Sequence, residues 1–364
     1  MVEKFINCML CHALGDTIGY KNGEWEFMGT LDKVYEFIDL GGVNNISLEN
    51  WLVSDDTVLH MKLAESLLTD YKSINTLCEN FSNNLIIARD DFLEEGLAKR
   101  APGNITMAMI KNLKDGIKWN EQIYNTSYGG SGASMRTACI GLLYHGLNNR
   151  SLLMQVAIET SRITHNSAVG FLGGYTTALF SAFAIEGLPI EKWPFLLLEY
   201  RDSILEYIKL TKRDVKQYEN DSHIFYDKWI TYIKDKFDDN KQVIKRKSTI
   251  NLYFRCKYYR DKLSYLIKSN NYDRHMQLIG AGGDDSVIIA YDCLLDAKEN
   301  WEKLIFYAML HTGDTDTTGC IAGAWYGILY GIESIPKNNF KNLEYKEKII
   351  NLATNLYNKY KNNN

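Results

Sequence analysis

The chain has 364 residues, 46% of them apolar and 24% charged, with a formal net charge of −4. That length supports one large domain or two ordinary ones with ample core. The acidic balance argues against nucleic-acid and anionic-membrane partners, both of which favour basic faces. Seven scattered cysteines, an odd number, read as reduced thiols of a cytoplasmic protein, not as a disulfide framework.

The opening stretch MVEKFINCMLCHALGD has acids on both sides of a short apolar run, so no signal peptide is expected. Cys8 and Cys11 form a C-x-x-C without a second pair, and helical spacing in a core accounts for them better than zinc does. Residues 15–27, GDTIGYKNGEWEF, place one Asp and two Glu among glycines, which reads as a loop over a site or as a solvated turn.

Beyond this point apolar residues recur at helical spacing. The period predicts helices over 55–71, 133–146, 151–165, 168–187 and 189–211, and again over 286–297, 300–313, 319–331 and 345–360. The uncharged run from Asn166 to Ile185 is rich in Gly, Thr and Ser, which fits a buried core helix and not a membrane span. Residues 212–275, dense in Lys, Asp, Asn and Tyr, read as a helical excursion or surface insertion. No alternating strand longer than four or five residues stands out, and there are only four prolines. The expected class is all-α: one compact multi-helix domain over 1–361, with function on the loops between helices and a frayed tail at 362–364.

Three stretches carry candidate chemistry. HTGDTDTTG, His311 to Gly319, sets Asp314 and Asp316 before an apolar helix. Such residues serve either as N-caps or as hard oxygen ligands, together with Thr317, for a divalent cation. VSDDTVLH repeats the pattern with Ser54, Asp55, Asp56 and Thr57. If the two clusters meet, four carboxylates raise one another's pKa, and a pair of cations would neutralise them. Oxygen ligands without Cys or His suit Mg²⁺ or Mn²⁺ better than zinc. Third, YGGSGASMR, Tyr128 to Arg136, is a glycine-rich loop running into a helix. Its exposed N–H groups would make either an anion site or a simple turn. It lacks the GK[ST] of a Walker loop, and the chain has no G-x-S-x-G elbow for acyl transfer. His165, in RITHNS, reads by itself as a partner of a helix C-terminus.

An early GD with a downstream Glu, then SDDT, GGSGASMR, TH and GDTDTT, is an ordered set. It resembles the ADP-ribosylglycohydrolase family, and within it the ADP-ribosylarginine hydrolases. Supporting stretches are KRAPG, IAYD and GCIAGAWYGILYG, so the likeness spans nearly the whole chain except roughly 190–285. The resemblance implies an all-α orthogonal helical fold with two Mg²⁺ (or Mn²⁺) ions in a central cleft. By motif match Ser54, Asp55, Asp56 and Asp316 would hold one ion and Asp314, Asp316 and Thr317 the other, with Asp316 bridging. Glu26 matches the family's glutamate near the metals. Gly129, Gly130, Ser131 and Gly132, with Ser134, Met135 and Arg136, would take the pyrophosphate and adjoining ribose, and His165 would lie along the ADP-ribose channel.

One stretch departs from the pattern. Before IAYD the arginine hydrolases carry a longer Gly/Ser loop with a tryptophan and a histidine. Here the shorter IGAGGDDSV stands at 279–287, with Ala281 and Asp284 where those residues would fall. The expected activity is metal-dependent release of ADP-ribose from ADP-ribosylated arginine of proteins, with Asp55, Asp56 or Glu26 as acid or base. The alternatives are a dinuclear-metal hydrolase of a free nucleotide or ADP-ribose derivative, and a non-catalytic ADP-ribose-binding member.

Overall fold

The computed structural model describes residues 1–246, 251–268 and 275–363. The fold is all-α. In chain order the helices are α1 (Val2–Tyr20), α2 (Asp32–Asp39), α3 (Gly42–Asn45), α4 (Asp55–Leu68), α5 (Ile74–Glu95) and α6 (Asn104–Lys114). There follow α7 (Ala138–Leu143), α8 (Arg150–Arg162), α9 (Ala168–Ile185), α10 (Trp193–Glu199), α11 (Arg201–Thr211) and α12 (Val215–Lys236). Then come α13 (Leu252–Tyr258), α14 (Asp285–Ala297), α15 (Trp301–Leu304), α16 (Thr315–Tyr330) and α17 (Lys346–Asn363). The last helix runs past Tyr360 into the stretch expected to fray, although Lys361, Asn362 and Asn363 are exposed.

Helix α9 is the centre of the core. Every one of its residues from Ala168 to Ile185 is buried, as its lack of charge requires. Around Phe180 the rings of Trp193, Trp229 and Trp325 lie at centroid distances of 5.2, 5.7 and 5.4 Å. Such tilted and edge-on contacts add to the area that the rings bury. All seven cysteines are free and buried, Cys8 and Cys11 among them on α1.

The pair that sets the site is α1 against α16, antiparallel and with backbones nearly touching. A Cβ on Gly15 would fall 2.1 Å from the Gly319 carbonyl oxygen, and one on Gly19 would fall 2.1 Å from that of Thr315. Gly323 and Gly327 meet Cys11 and Asn7 in the same way, each with a virtual Cβ 2.2 Å from a carbonyl oxygen. The four-residue spacing on both helices builds one continuous seam. It carries the start of α16 to the C-terminal half of α1.

Several expected boundaries differ. Residues 15–20 of the expected loop are the end of α1. The helix expected over 133–146 opens as a 3-10 turn at Ser134–Arg136 before α7. That expected over 189–211 breaks into α10 and α11 at Tyr200, and that over 300–313 ends in a π turn at Ile305–Met309. The 212–275 excursion contributes α12 and α13 and then a hairpin, 265–268 against 275–278, whose four-residue strands are too short for alternation to announce. Parts of it, 247–250 and 269–274, lie outside the described residues.

Buried charge fastens this excursion to α14. Lys236 Nζ lies 2.7 Å from both Asp292 Oδ1 and Asp296 Oδ2, and Arg255 Nη2 lies 2.6 Å from Asp296, with Nη1 on Asp292. Burial alone would raise the Asp292 pKa, but Lys236 and Arg255 carry it down to about 2.

Candidate functional site

The acids of the two helix starts are brought together by a residue that neither motif contains. Asp16, buried on α1, accepts hydrogen bonds from the Ser54 N–H on both oxygens at 3.1 Å. It also accepts from the Thr57 N–H at 3.1 Å and the Thr57 hydroxyl at 2.5 Å. The first turn of α4 is thereby tied to α1. From the other side Arg100 accepts the Asp55 N–H on its carbonyl (3.0 Å) and donates to the Val53 carbonyl (2.8 Å). A bidentate pair with Glu344, at 2.7 and 2.9 Å, fixes that guanidinium. Asp16→Ala is expected to lower stability in urea by about 2 kcal/mol, because three buried donors lose a carboxylate acceptor. A midpoint equal to that of the parent protein would refute this role.

The start of α16 is built alike. Asp314 is the N-cap and accepts the Thr317 N–H on Oδ1 at 3.3 Å, while Asp316, inside the first turn, accepts the same N–H on Oδ1 at 2.9 Å. Glu26 is delivered by a turn stitched to the loop before α16. The Phe27 N–H donates to the Gly313 carbonyl (2.9 Å), and the Thr315 hydroxyl to the Gly19 carbonyl (2.8 Å). Carboxylate oxygens of Glu26, Asp314 and Asp316 lie within 4.8 Å of one another. With Asp55, Asp56 and Thr317 they line one cavity of about 660 Å³. Ser54 is buried at its edge and is not among the lining residues; its hydroxyl accepts the Asp56 N–H (3.1 Å) and bonds Asp316.

Burial, and after it repulsion from Asp316, pushes the Asp16 carboxyl up to about 7 and Glu26 up to about 10. The same causes, in the same order, hold Asp55, Asp56 and Asp314 well above the usual carboxylate range, and Asp316 is raised too, chiefly by burial. Among the described residues lining the cavity there is no Lys or Arg. Such a set of crowded anionic oxygens fits a divalent cation.

The glycine-rich loop reaches the same cavity. Gly130, Ser131, Gly132, Met135 and His165 line it, and Ser131 Oγ lies 3.4 Å from Asp314 Oδ2. The loop pairs antiparallel with the 281–283 stretch, Gly283 N–H to the Gly129 carbonyl and Ser131 N–H to the Ala281 carbonyl, both 2.8 Å. Among the described residues no acceptor meets the N–H of Gly130 or Gly132. Gly129, Ser134 and Arg136 do not line the cavity. The Ser134 hydroxyl is turned to the Ser131 carbonyl (2.8 Å) and Ser286 (3.0 Å), and Arg136 donates to the Gly132 carbonyl (2.7 Å) from beneath.

Arg136 also donates to Thr164 Oγ1, whose hydroxyl lies 2.8 Å from His165 Nδ1. With Thr164 donating to Nδ1, the ring carries its proton on Nε2, toward Gly130 and Gly132. Burial, aided by Arg136, lowers the His165 pKa to about 3, so the ring is neutral. Room for it depends on glycine, since a Cβ on Gly132 would sit 2.5 Å from His165 Cε1.

The bracing roles of Asp16, Arg100 and Glu344 are not read from the motifs, and Thr57, named with the SDDT cluster, is turned to Asp16 and does not line the cavity. The available signal was Gly15 and Gly19, four apart on either side of Asp16, with Gly319, Gly323 and Gly327 at the same spacing on the helix packed against them.

Comparison with known proteins accords with this geometry. The ADP-ribosylglycohydrolase family model matches residues 1–364. The chain is 34% identical to the ADP-ribosylhydrolase ARH1 of Dictyostelium discoideum, covering 98% of this chain and 94% of that protein. It is 36% identical to a putative ADP-ribosyl glycohydrolase of Acanthamoeba polyphaga mimivirus, over 94% of this chain and 67% of that one. Among solved structures, an ADP-ribosylglycohydrolase-related protein complex shares the fold with a TM-score of 0.57 at 17% identity, covering 99% of this chain and 98% of its own. The chain belongs to the ADP-ribosylglycohydrolase family.

Proposed function

We propose that the chain hydrolyses the N-glycosidic bond between ADP-ribose and an arginine side chain of a modified protein. The observation that carries this reading is the 3.4 Å approach of Ser131 Oγ to Asp314, which sets an anion-binding loop and a crowd of carboxylates in one cavity. The 34% identity to a protein named ADP-ribosylhydrolase ARH1 over nearly its full length supports it. So does the likeness of the motif set to the arginine hydrolases.

In this reading the Gly130 and Gly132 N–H groups and His165 Nε2–H donate to the pyrophosphate. Met135 packs against the adjoining ribose. Asp55, Asp56 and Asp316, with Ser54, would hold one Mg²⁺ or Mn²⁺, and Asp314, Asp316 and Thr317 a second. Bound there, such ions would orient ribose hydroxyls and lower the pKa of a water. The carboxylates also face a reacting carbon that becomes oxocarbenium-like, and they stabilise its positive charge. One carboxyl of Glu26, Asp55 and Asp56 takes the proton of the attacking water or protonates the departing guanidine.

Purified protein given ADP-ribosylated arginine substrate with Mg²⁺ should release ADP-ribose, and chelation should stop it. Release only from a free nucleotide or a different ADP-ribosyl linkage would overturn the arginine assignment. Binding of ADP-ribose without turnover would overturn the hydrolase reading.

A further inference from the structure

The 279–287 stretch, where the chain departs from the arginine hydrolases, is held by a residue far outside every motif. Asp285 accepts the Gly280 N–H on Oδ2 and the Gly282 N–H on Oδ1, each at 2.7 Å, and so closes the turn on itself. Beside it Asp284 Oδ1 accepts the Asp285 N–H at 2.8 Å. Its other oxygen meets Lys228 Nζ of α12 at 2.6 Å. The Asp284 side chain is 1% exposed and that of Lys228 18%, so the pair is largely withdrawn from water. Two adjacent buried carboxylates thus depend on one cation from the excursion, and Lys228 is also the leading influence that lowers the Asp285 pKa against its burial.

The turn they hold is one wall of the cavity. Ala281 lines it and accepts the Ser131 N–H at 2.8 Å, while the Gly283 N–H reaches the Gly129 carbonyl at 2.8 Å. These two bonds set the spacing between the turn and the glycine-rich loop, and Asp284, the partner of Lys228, follows Gly283 directly in the chain and accepts the N–H of Asp285, which closes the turn. There is no slack on the far side, because a Cβ on Gly283 would lie 2.4 Å from the Val169 carbonyl oxygen of α9.

We propose that Lys228 is a positioning residue for the ADP-ribosyl group: through Asp284 it holds the Gly280–Gly283 turn, and through that turn the Gly129–Ser131 edge, at the spacing substrate binding needs. This rests on reading the cavity as an ADP-ribosyl site. The excursion then has a role in substrate choice, supplying from α12 a clamp on the shortened loop. The acids on α4 and α16 make no bond to Lys228, so its loss acts on binding and not on the chemical step.

The test compares Lys228→Met, Lys228→Arg and Asp284→Asn with the parent protein. Lys228→Met should raise KM for ADP-ribosylated arginine substrate about tenfold with kcat changed by less than about twofold. Calorimetric affinity for ADP-ribose should fall by the same factor, while affinity for Mg²⁺ alone stays unchanged. Hydrogen exchange at the Ser131 and Gly283 amides should quicken. Lys228→Arg should restore all three readouts. Asp284→Asn keeps the capping oxygen and loses the charge, and combined with Lys228→Met it should add little. Unchanged exchange at both amides, or a loss in kcat at constant KM, would overturn the proposal. Exchange also separates the two readings. If the parent protein fails to cleave the arginine linkage, the functional reading falls, and quickened or unquickened exchange still decides whether Lys228 holds the loop.

Discussion

Replacing Asp316 by Asn is expected to abolish turnover while the fold survives. Asparagine keeps the shape and an oxygen for the Thr317 N–H, now 2.9 Å from Asp316 Oδ1, so the start of α16 is preserved. What disappears is the charge that contributes to the raised pKa values of Asp16, Glu26, Asp55, Asp56 and Asp314. As the proposed bridge between two cations, its loss should cut activity about a thousandfold or more, in line with several kcal/mol of charge stabilisation. Calorimetric Mg²⁺ titration should show at least one ion bound far more weakly. If Asp316 were only a helix cap, both activity and metal affinity would stay near the parent values, and that result would sink the two-metal proposal.

The same substitution should change the pH dependence of stability without metal. Folding raises the Asp16 carboxyl to about 7 and Glu26 to about 10, so the folded state binds these protons more tightly than the unfolded state does. Their contribution is complete below the unfolded carboxylate range and is lost as pH rises through the folded values. Metal-free protein should therefore melt higher near about pH 5 than near about pH 8. Mg²⁺ should recover most of the loss at the higher pH. Asp316→Asn should flatten the slope, since the remaining acids repel one another less. A metal-free melting temperature that climbs across this range would contradict the crowding argument.

How much of this was legible in sequence follows from the range of each interaction. Asp55, Asp56, Asp314 and Asp316 are legible because hydroxyls and carboxylates recur at two helix starts, a local pattern that capping and metal binding both favour. Asp16 is not, because one acid inside an apolar helix looks like part of a turn until the helix against it is known. The glycine-rich loop is legible as a place of close approach. That Ser134 and Arg136 brace it from below is not, since their bonds to the Ser131 and Gly132 carbonyls replace the expected helical start with a 3-10 turn. Periodicity locates α9 well, because burial on all sides leaves no charged face. It runs α10 and α11 together, because apolar spacing continues across Tyr200 while the backbone bends there. Lys228 and Asp284 are fifty-six positions apart, and no period relates them.

Gly19→Ala is the substitution expected to damage the fold most, and it should reach the acids as well. In an isolated helix the change would stabilise by about 0.5–1 kcal/mol, through the lower entropy of the unfolded chain. Here the new Cβ would lie 2.1 Å from the Thr315 carbonyl oxygen and 2.7 Å from the Asp316 backbone nitrogen, both parts of a main chain that has no rotamer to change. The helices must move apart, and overpacking of this kind costs about 1–3 kcal/mol or more, which outweighs the propensity gain. A net loss of about 3 kcal/mol in urea is expected, with a lower unfolding midpoint. Because Thr315 is the neighbour of Asp316, the shift also pulls that carboxylate from Glu26 and Asp55, so Mg²⁺ affinity should fall in whatever fraction remains folded. Gly29→Ala provides the control, as nothing lies within 4 Å of its virtual Cβ and its backbone is not left-handed. It should leave stability within about 0.5 kcal/mol. A Gly19→Ala protein with the parent's midpoint and Mg²⁺ affinity would show that α1 and α16 can slide apart without disturbing the acids, and the seam would then not be what sets the site.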